Sequence, residues 1–341
     1  MILNRRKFIK NSIAVFSAGA LTQNIFANEI FKKKLKIAIQ LYSFGPNIMQ
    51  GKFDLLDFPQ FIKDNFGVKG AEYWSIPFMG KENDDSYLKT LKEKSIDANT
   101  DNLLILVDDV NIQTMKSGPS LASSIKSERD LAIDFHKKWI DVAKKIGCHS
   151  IRVNLKSEES DNNTILKNSS KSILKLIDYS KHDKINIVIE NHGGITADAD
   201  WLISLIKNVD SKYIGTLPDF GDYNFCINKG ALDFEDIGKM CENQYDKYMG
   251  VEKLMPYAKG VSAKSHYFDE KGEETSTDFS RMLKIILNSN YKGYLTIEYE
   301  GAMAGMFGSE KKNFLSPNAV SYTHLRAHET EADLVCRLLL E

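Results

Sequence analysis

The chain has 341 residues, is 43% hydrophobic and 27% charged, and carries a net charge of −1. That is enough chain for one large domain or two ordinary ones with a real core, and the balanced charge gives nucleic acid or an anionic membrane no overall electrostatic hold. Four cysteines, Cys148, Cys226, Cys241 and Cys336, show no CxxC pairing, which argues against a zinc knuckle and leaves a disulfide open.

The N-terminus reads as a targeting segment. Arg5 and Arg6, followed by Phe8 and Lys10, resemble a twin-arginine export signal. The apolar stretch behind them, 12–21, is about half the length that spans a bilayer. Residues 1–27 are expected to be cleaved near Ala27, leaving an exported, periplasmic protein with no stable membrane insertion. At the other end, residues 319–341 resemble a translated sequencing-adapter read-through and are expected to be artefactual. His324, His328 and Cys336 are therefore given no role.

Between these ends, short β-rich runs alternate with helical patterns. The strand candidates are "KIAIQLYS" (36–43), "GAEYW" (70–74), "IDANTDN" (96–102, the weakest), "SIRVN" (150–154), "INIVIE" (185–190), "YIGTLPD" (213–219), "KGVSAKS" (259–265) and "GYLTIEYE" (293–300). The clearest helix is "ERDLAIDFHKKWIDVAKKIG" (128–147). There Leu131, Phe135, Trp139, Val142 and Ile146 step by three or four, Gly147 supplies the stop, and His136 reads as a surface residue.

Strand–helix alternation favours a parallel sheet, and eight units between residues 35 and 318 favour an α/β fold of the (β/α)8 TIM-barrel type. The closing helix after Glu300 would be incomplete or replaced by the tail. An open doubly wound sheet is the runner-up, but the first loop, "YSFGPNIMQGKF", lacks GxGxxG.

In such a barrel the C-terminal strand ends converge on one face. Here they carry Gln40 and Tyr42, Glu72, Arg152 and Asn154, Glu190 and His192, Asp219, Lys264 and His266, and Glu298 and Glu300. Three late strands thus end in carboxylates. Several carboxylates in one pocket raise one another's pKa or require a cation, and an oxygen-rich set with one nitrogen suits one divalent metal ion: Mn, Co, Mg or Zn. The bland readings are a strand-end salt bridge for Glu190, a turn former beside Pro218 for Asp219, and a loop role for His192.

Residues 36–301 resemble the sugar-phosphate isomerase/epimerase family of xylose isomerase-like barrels. The resemblance rests on "WIDVAKKIGCHSIRVN", "VIENHGG", "TLPDFGDYN", "KGVSAKSHYFDEKGEE" and "GYLTIEYEG". It implies that two glutamates, an aspartate and a histidine hold the metal and that the glutamates also move protons. Carried over by position, the metal set is Glu190, Asp219 and Glu298, with His266 standing in for the usual histidine because Ser262 occupies that place in "VSAK". Glu190 and Glu298 would be the catalytic pair. Lys264, Arg152, His192, Tyr42 and Trp74 would bind a carbohydrate substrate. A second departure is Asp222, where epimerases often place a substrate-contacting histidine.

The expected activity is metal-dependent isomerisation or epimerisation of a sugar through an enediolate. A lyase or dehydratase acting on a keto-sugar such as a 3-keto-glycoside, or a non-catalytic carbohydrate-binding barrel, remains open. An endonuclease-IV-like phosphodiesterase is disfavoured, because His136, His149, His182, His192 and His266 are the only histidines before the tail and no basic groove is evident.

Overall fold

The computed structural model describes residues 35–303 except 112–113, 115, 158–160, 228–240, 269–273 and 302. The expected signal, residues 1–27, and the expected tail, residues 319–341, lie outside this range.

Eight parallel strands form one sheet: β1 (Lys36–Gln40), β2 (Gly70–Trp74), β3 (Asp101–Leu106), β4 (Ser150–Val153), β5 (Asn186–Glu190), β6 (Ile214–Leu217), β7 (Val261–Ser265) and β8 (Tyr294–Tyr299). β1 pairs with both β2 and β8, so the chain's first and last described strands are neighbours. The remaining edges, β6 and β7, meet through the parallel bridges Thr216↔Ala258 and Asp219↔Ser262. The hydrogen bonds Ser262 N→Pro218 O (2.9 Å) and Phe220 N→Ser262 O (3.2 Å) join the same edges. The sheet therefore curls round to close a TIM barrel.

Besides the short helix Gly45–Met49, seven helices among the described residues separate the strands: α1 (Phe58–Phe66), α2 (Asp85–Asp97), α3 (Lys126–Ile146), α4 (Asn162–Ser180), α5 (Ala199–Val209), α6 (Lys247–Leu254) and α7 (Phe279–Asn288). Five of them begin on an aspartate whose carboxylate accepts a first-turn N–H: Asp84, Asp161, Asp198, Asp246 and Asp278. α3 stops at Gly147, whose φ of 88° is a left-handed conformation that costs glycine little. Gly301 and Met303 are helical, and the rest of the closing helix expected there lies outside the described residues.

Two cores result. An outer one, between sheet and helices, includes Ile105, Trp139, Ile151, Ile187, Ile189 and Leu202. A small separate cluster of Leu104, Leu106, Val188 and Leu217 comes from the opposite face of β3, β5 and β6, inside the barrel. This alternation is why the strand interiors read as continuous apolar runs: both faces are buried.

Three expectations need correction. The third strand is 101–106, not 96–102: Ile96 is an exposed helical residue and Asn99 turns the chain at φ 55°, whereas Leu103 to Leu106 are buried. Leu131 does not lie on the packed side of α3, being 61% exposed, and the buried face runs instead through Ala132, Ile133, His136, Trp139, Ile140, Ala143 and Ile146. His136 is thus buried rather than on the surface. The open question of a disulfide also resolves: Cys226 and Cys241 are bonded, and Cys148 is a buried free thiol.

Candidate active site

Glu190 ends β5, Glu298 lies on β8, and Asp219 follows β6 at its bridge to Ser262. All three are buried, and one carboxylate oxygen from each lies within 4.8 Å of the others. Residues far apart in sequence meet here because parallel strands deliver their C-terminal ends to one rim.

Local bonds fix each carboxylate. Asn224 Nδ2 donates to Glu190 Oε1 at 3.0 Å, and Arg152 Nε lies 2.8 Å from Glu190 Oε2. Gly221 N donates to Asp219 Oδ1 at 2.7 Å, and Asn191 Oδ1 accepts from the Asp219 backbone N–H at 2.8 Å. A side chain at Gly221 would collide with Asn224, Lys264 and Asp219 itself, so the turn needs glycine there. Ser262 Oγ donates to Glu298 Oε2 at 2.7 Å.

Lys264, from β7, brings a cation among them. Its Nζ lies 3.7 Å from Glu190, 3.5 Å from Asp219, 3.5 Å from Glu298 and 3.0 Å from Glu300, and the carboxylates hold its pKa well above the usual lysine value although burial opposes this. One ammonium does not balance the cluster. Burial, with Glu190 nearby, raises Asp219 to about 7 against the pull of Lys264, and burial raises Glu298 well above the ordinary range. Glu300 goes the other way: despite burial, Lys264 and His266 hold it well below the ordinary range.

The residues fit a divalent cation. Asp219 Oδ2 is buried without a hydrogen-bond partner, the condition a metal ion relieves, and three carboxylate oxygens converge beside it. An all-carboxylate donor set suits a hard cation such as Mg or Mn.

Among the other expected site residues, His266 places Nε2 3.1 Å from Glu300 Oε2 and does not join the three-carboxylate group. His192 stands beside Tyr223, has no partner for Nδ1, and is lowered in pKa by burial. Tyr42 and Trp74 form an edge-to-face pair at 4.9 Å. Asp222, at the place of the second expected histidine, binds Lys247 at 2.5 Å.

Asp108 went unnoticed in the sequence. It accepts from Arg152 Nη1 (2.7 Å), Asn154 Nδ2 (3.1 Å) and Trp74 Nε1 (2.8 Å), which ties two expected substrate-binding residues, Arg152 and Trp74, to the strand-end Asn154. Burial opposes its ionisation, but Arg152 outweighs that and keeps its pKa low. A signal was available: counted from the true third strand, Asp108 shares the inward parity of Leu104 and Leu106. Glu72, one layer deeper, accepts from Thr296 Oγ1 at 2.7 Å and is raised by burial to about 8.

A sequence profile described as "Xylose isomerase-like TIM barrel" matches residues 65–315. No curated protein sequence matches the chain. Among solved structures, D-psicose 3-epimerase from Clostridium cellulolyticum superposes with a TM-score of 0.58 at 11% identity, covering 89% of this chain and 96% of that one. A sugar phosphate isomerase/epimerase from Parabacteroides distasonis gives 0.56 at 14%, covering 90% and 96%. The 3-keto-D-glucoside 4-epimerase of E. coli gives 0.56 at 14%, covering 77% and 91%. At these identities the likeness speaks to fold.

Proposed function

Because the chain belongs to the xylose isomerase-like TIM barrel family, we propose that it is a divalent-metal-dependent isomerase or epimerase of a sugar or sugar derivative. The observation that carries this reading is the convergence of Glu190, Asp219 and Glu298, with Asp219 Oδ2 buried and without a hydrogen-bond partner. The structural neighbours that are sugar epimerases and isomerases support it.

Glu190, Asp219 and Glu298 would hold the ion. When bound, a divalent cation supplies Lewis-acid stabilisation of charge developing on substrate oxygens. The chain's own groups do the proton work. Glu190 faces the Arg152 guanidinium and the Asn224 amide, whereas Glu298 faces the Ser262 hydroxyl. That asymmetry supports a reading in which Glu190 would accept the proton beside the sugar carbonyl and Glu298 would return one, through an enediolate. Lys264 offsets anionic charge, and the Tyr42–Trp74 pair forms an apolar wall for the ring. Elimination from a keto-glycoside is the second reading, favoured by the fold likeness to a 3-keto-glucoside epimerase, since the same proton abstraction begins both.

Export through the twin-arginine route also belongs to this proposal. The Cys226–Cys241 disulfide supports it, since such bonds persist in oxidising compartments. No helix among the described residues is long and apolar enough to cross a membrane.

The test is metal content by mass spectrometry on purified protein and on Glu190→Gln and Asp219→Asn, with a screen of ketoses, sugar phosphates and keto-glycosides. About one metal per chain, absent from both variants, together with turnover of a ketose, supports the proposal. A folded protein that takes up no metal on reloading sinks it.

A further inference from the structure

The carboxylate cluster is sealed except on one side. The side chains of Lys264, Glu190, Asp219 and Glu298 are at most 4% exposed, whereas those of Glu300 and His266 are 24% and 18% exposed. The cluster therefore opens to solvent where Glu300 and His266 stand. Glu300 ties the two sides together: its Oε1 accepts from Lys264 Nζ at 3.0 Å, and its Oε2 lies 3.1 Å from His266 Nε2. A carboxylate ion-paired to an ammonium accepts, so Nε2 carries the imidazole hydrogen and Nδ1 is left as the lone pair. Nδ1 has no hydrogen-bond partner among the described residues and is not one of the buried polar atoms without one, so it is open to solvent.

Two buried charges hold the backbone beneath the ring. Glu274 Oε1 accepts from the backbone N–H groups of His266 (3.4 Å) and Tyr267 (3.3 Å), and Glu274 Oε2 from those of Ser276 (2.8 Å) and Thr277. Lys247, at the start of α6, grips the same two residues, its Nζ donating to Ser276 O at 2.6 Å and to Thr277 Oγ1 at 2.8 Å. Burying charged groups costs free energy, and a half-open ion pair between His266 and Glu300 does not require that expense. A ring that must meet a ligand in one orientation does. Two hydrogen bonds through Glu300 separate this ring from the ammonium that stands among the three carboxylates. One sugar unit held at the carboxylates spans that gap, so a hydroxyl at its outer end meets Nδ1.

We infer that His266 selects which sugar the site accepts, its Nδ1 taking the hydrogen of a hydroxyl on the part of the substrate away from the carboxylates. Glu300 and Glu274 are the residues that position it. The inference rests on the sugar-acting reading of the carboxylate site and names the residue that sets its specificity.

Two measurements on the Mg²⁺-loaded protein test it. Long-range ¹H–¹⁵N spectra, with His266→Gln to assign the ring, read the tautomer before any sugar is added; the Nε2–H form is expected, and the Nδ1–H form overturns the inference. Calorimetric titration with D-fructose and with its single-carbon epimers D-psicose, D-tagatose and L-sorbose reads the selection. Wild type should bind its best ketose at least about ten-fold tighter than its weakest. His266→Phe keeps a ring and removes both nitrogens. It should weaken the best ketose until the four lie within about two-fold of one another, and His266→Gln, which keeps a hydrogen-bonding group, should restore part of the difference. Mg²⁺ affinity should stay unchanged in both variants, and its loss would make His266 a metal ligand and overturn the assignment. Unchanged selectivity in His266→Phe, or equal weakening of all four ketoses, overturns the inference and leaves the sugar-acting reading standing. If wild type binds neither these ketoses nor their 6-phosphates, the sugar-acting reading falls and this inference with it.

Discussion

Lys264 Nζ donates to Glu300 Oε1 at 3.0 Å while standing 3.5 Å from both Asp219 and Glu298 without hydrogen-bonding either. Glu300 therefore anchors the ammonium to one side of the carboxylate group, where it serves as a counter-ion and leaves Asp219 Oδ2 unpartnered. Lys264→Met removes the one buried positive charge shared by four carboxylates. Metal-free Lys264→Met should lose about 3–5 kcal/mol of stability, the usual cost of stripping a partner from buried charge. Divalent metal should recover more of that loss in the variant than it adds to wild type. Urea unfolding in chelator and in Mn²⁺ measures both, and equal metal stabilisation of the two proteins would contradict the counter-ion role.

Glu72 sets a pH dependence below the site. Burial raises its folded pKa from 4.5 to about 8, so between those values the folded protein binds a proton that the unfolded chain has released. Stability in chelator should therefore fall as pH rises from about 4.5 to 8, by about 1.4 kcal/mol for each unit of pKa difference, and flatten above. Glu72→Gln mimics the neutral acid. It should be close to wild type near pH 5 and the more stable protein near pH 9. Denaturation midpoints across that range decide it; parallel curves would refute the buried neutral carboxylic acid.

The Cys226–Cys241 disulfide joins residues 15 apart in sequence, and Cys226 lies two residues after Asn224. Chain-entropy arguments give such a loop about 3 kcal/mol. Cys226→Ser/Cys241→Ser should lower stability by roughly that amount. It should also raise KM, because Cys226 O accepts from Gly194 N and Asn224, two residues earlier, holds Glu190. A thermal melt and steady-state kinetics read the two effects separately.

The barrel was legible because parallel strands buried on both faces leave unmistakable apolar runs, and "INIVIE" is one of them. The strand that was misplaced shows the limit. "IDANTDN" offered alternation, but its polar residues are a helix end and a turn, and the run "NLLIL" beside it has no alternation to read. That error hid Asp108, since a site residue at a strand end is visible only once the end is known. His136 was hidden for another reason: periodicity marks apolar faces, and a histidine satisfied by its own helix carbonyl looks like a surface residue. The pairing of His266 with Glu300 rather than with the carboxylate trio depends on side-chain reach that spacing does not encode.

Asp108 makes a sharp test of how the site is braced. Its Oδ1 accepts from both Arg152 and Asn154, and its Oδ2 from the Trp74 indole. Every donor there needs an acceptor, so Asp108→Asn forces an NH2 group against an N–H whichever way the amide turns. It also leaves Arg152 with Glu190 as its only close carboxylate partner among the described residues. The guanidinium should then shift toward Glu190 and weaken it as a proton acceptor. The expected result is a loss of about 2–4 kcal/mol in stability and a fall in kcat of at least about ten-fold, with a smaller change in KM, because the perturbed group moves protons rather than holding the ring. A rise in KM at unchanged kcat would instead mean that Asp108 acts through Trp74 on substrate binding alone.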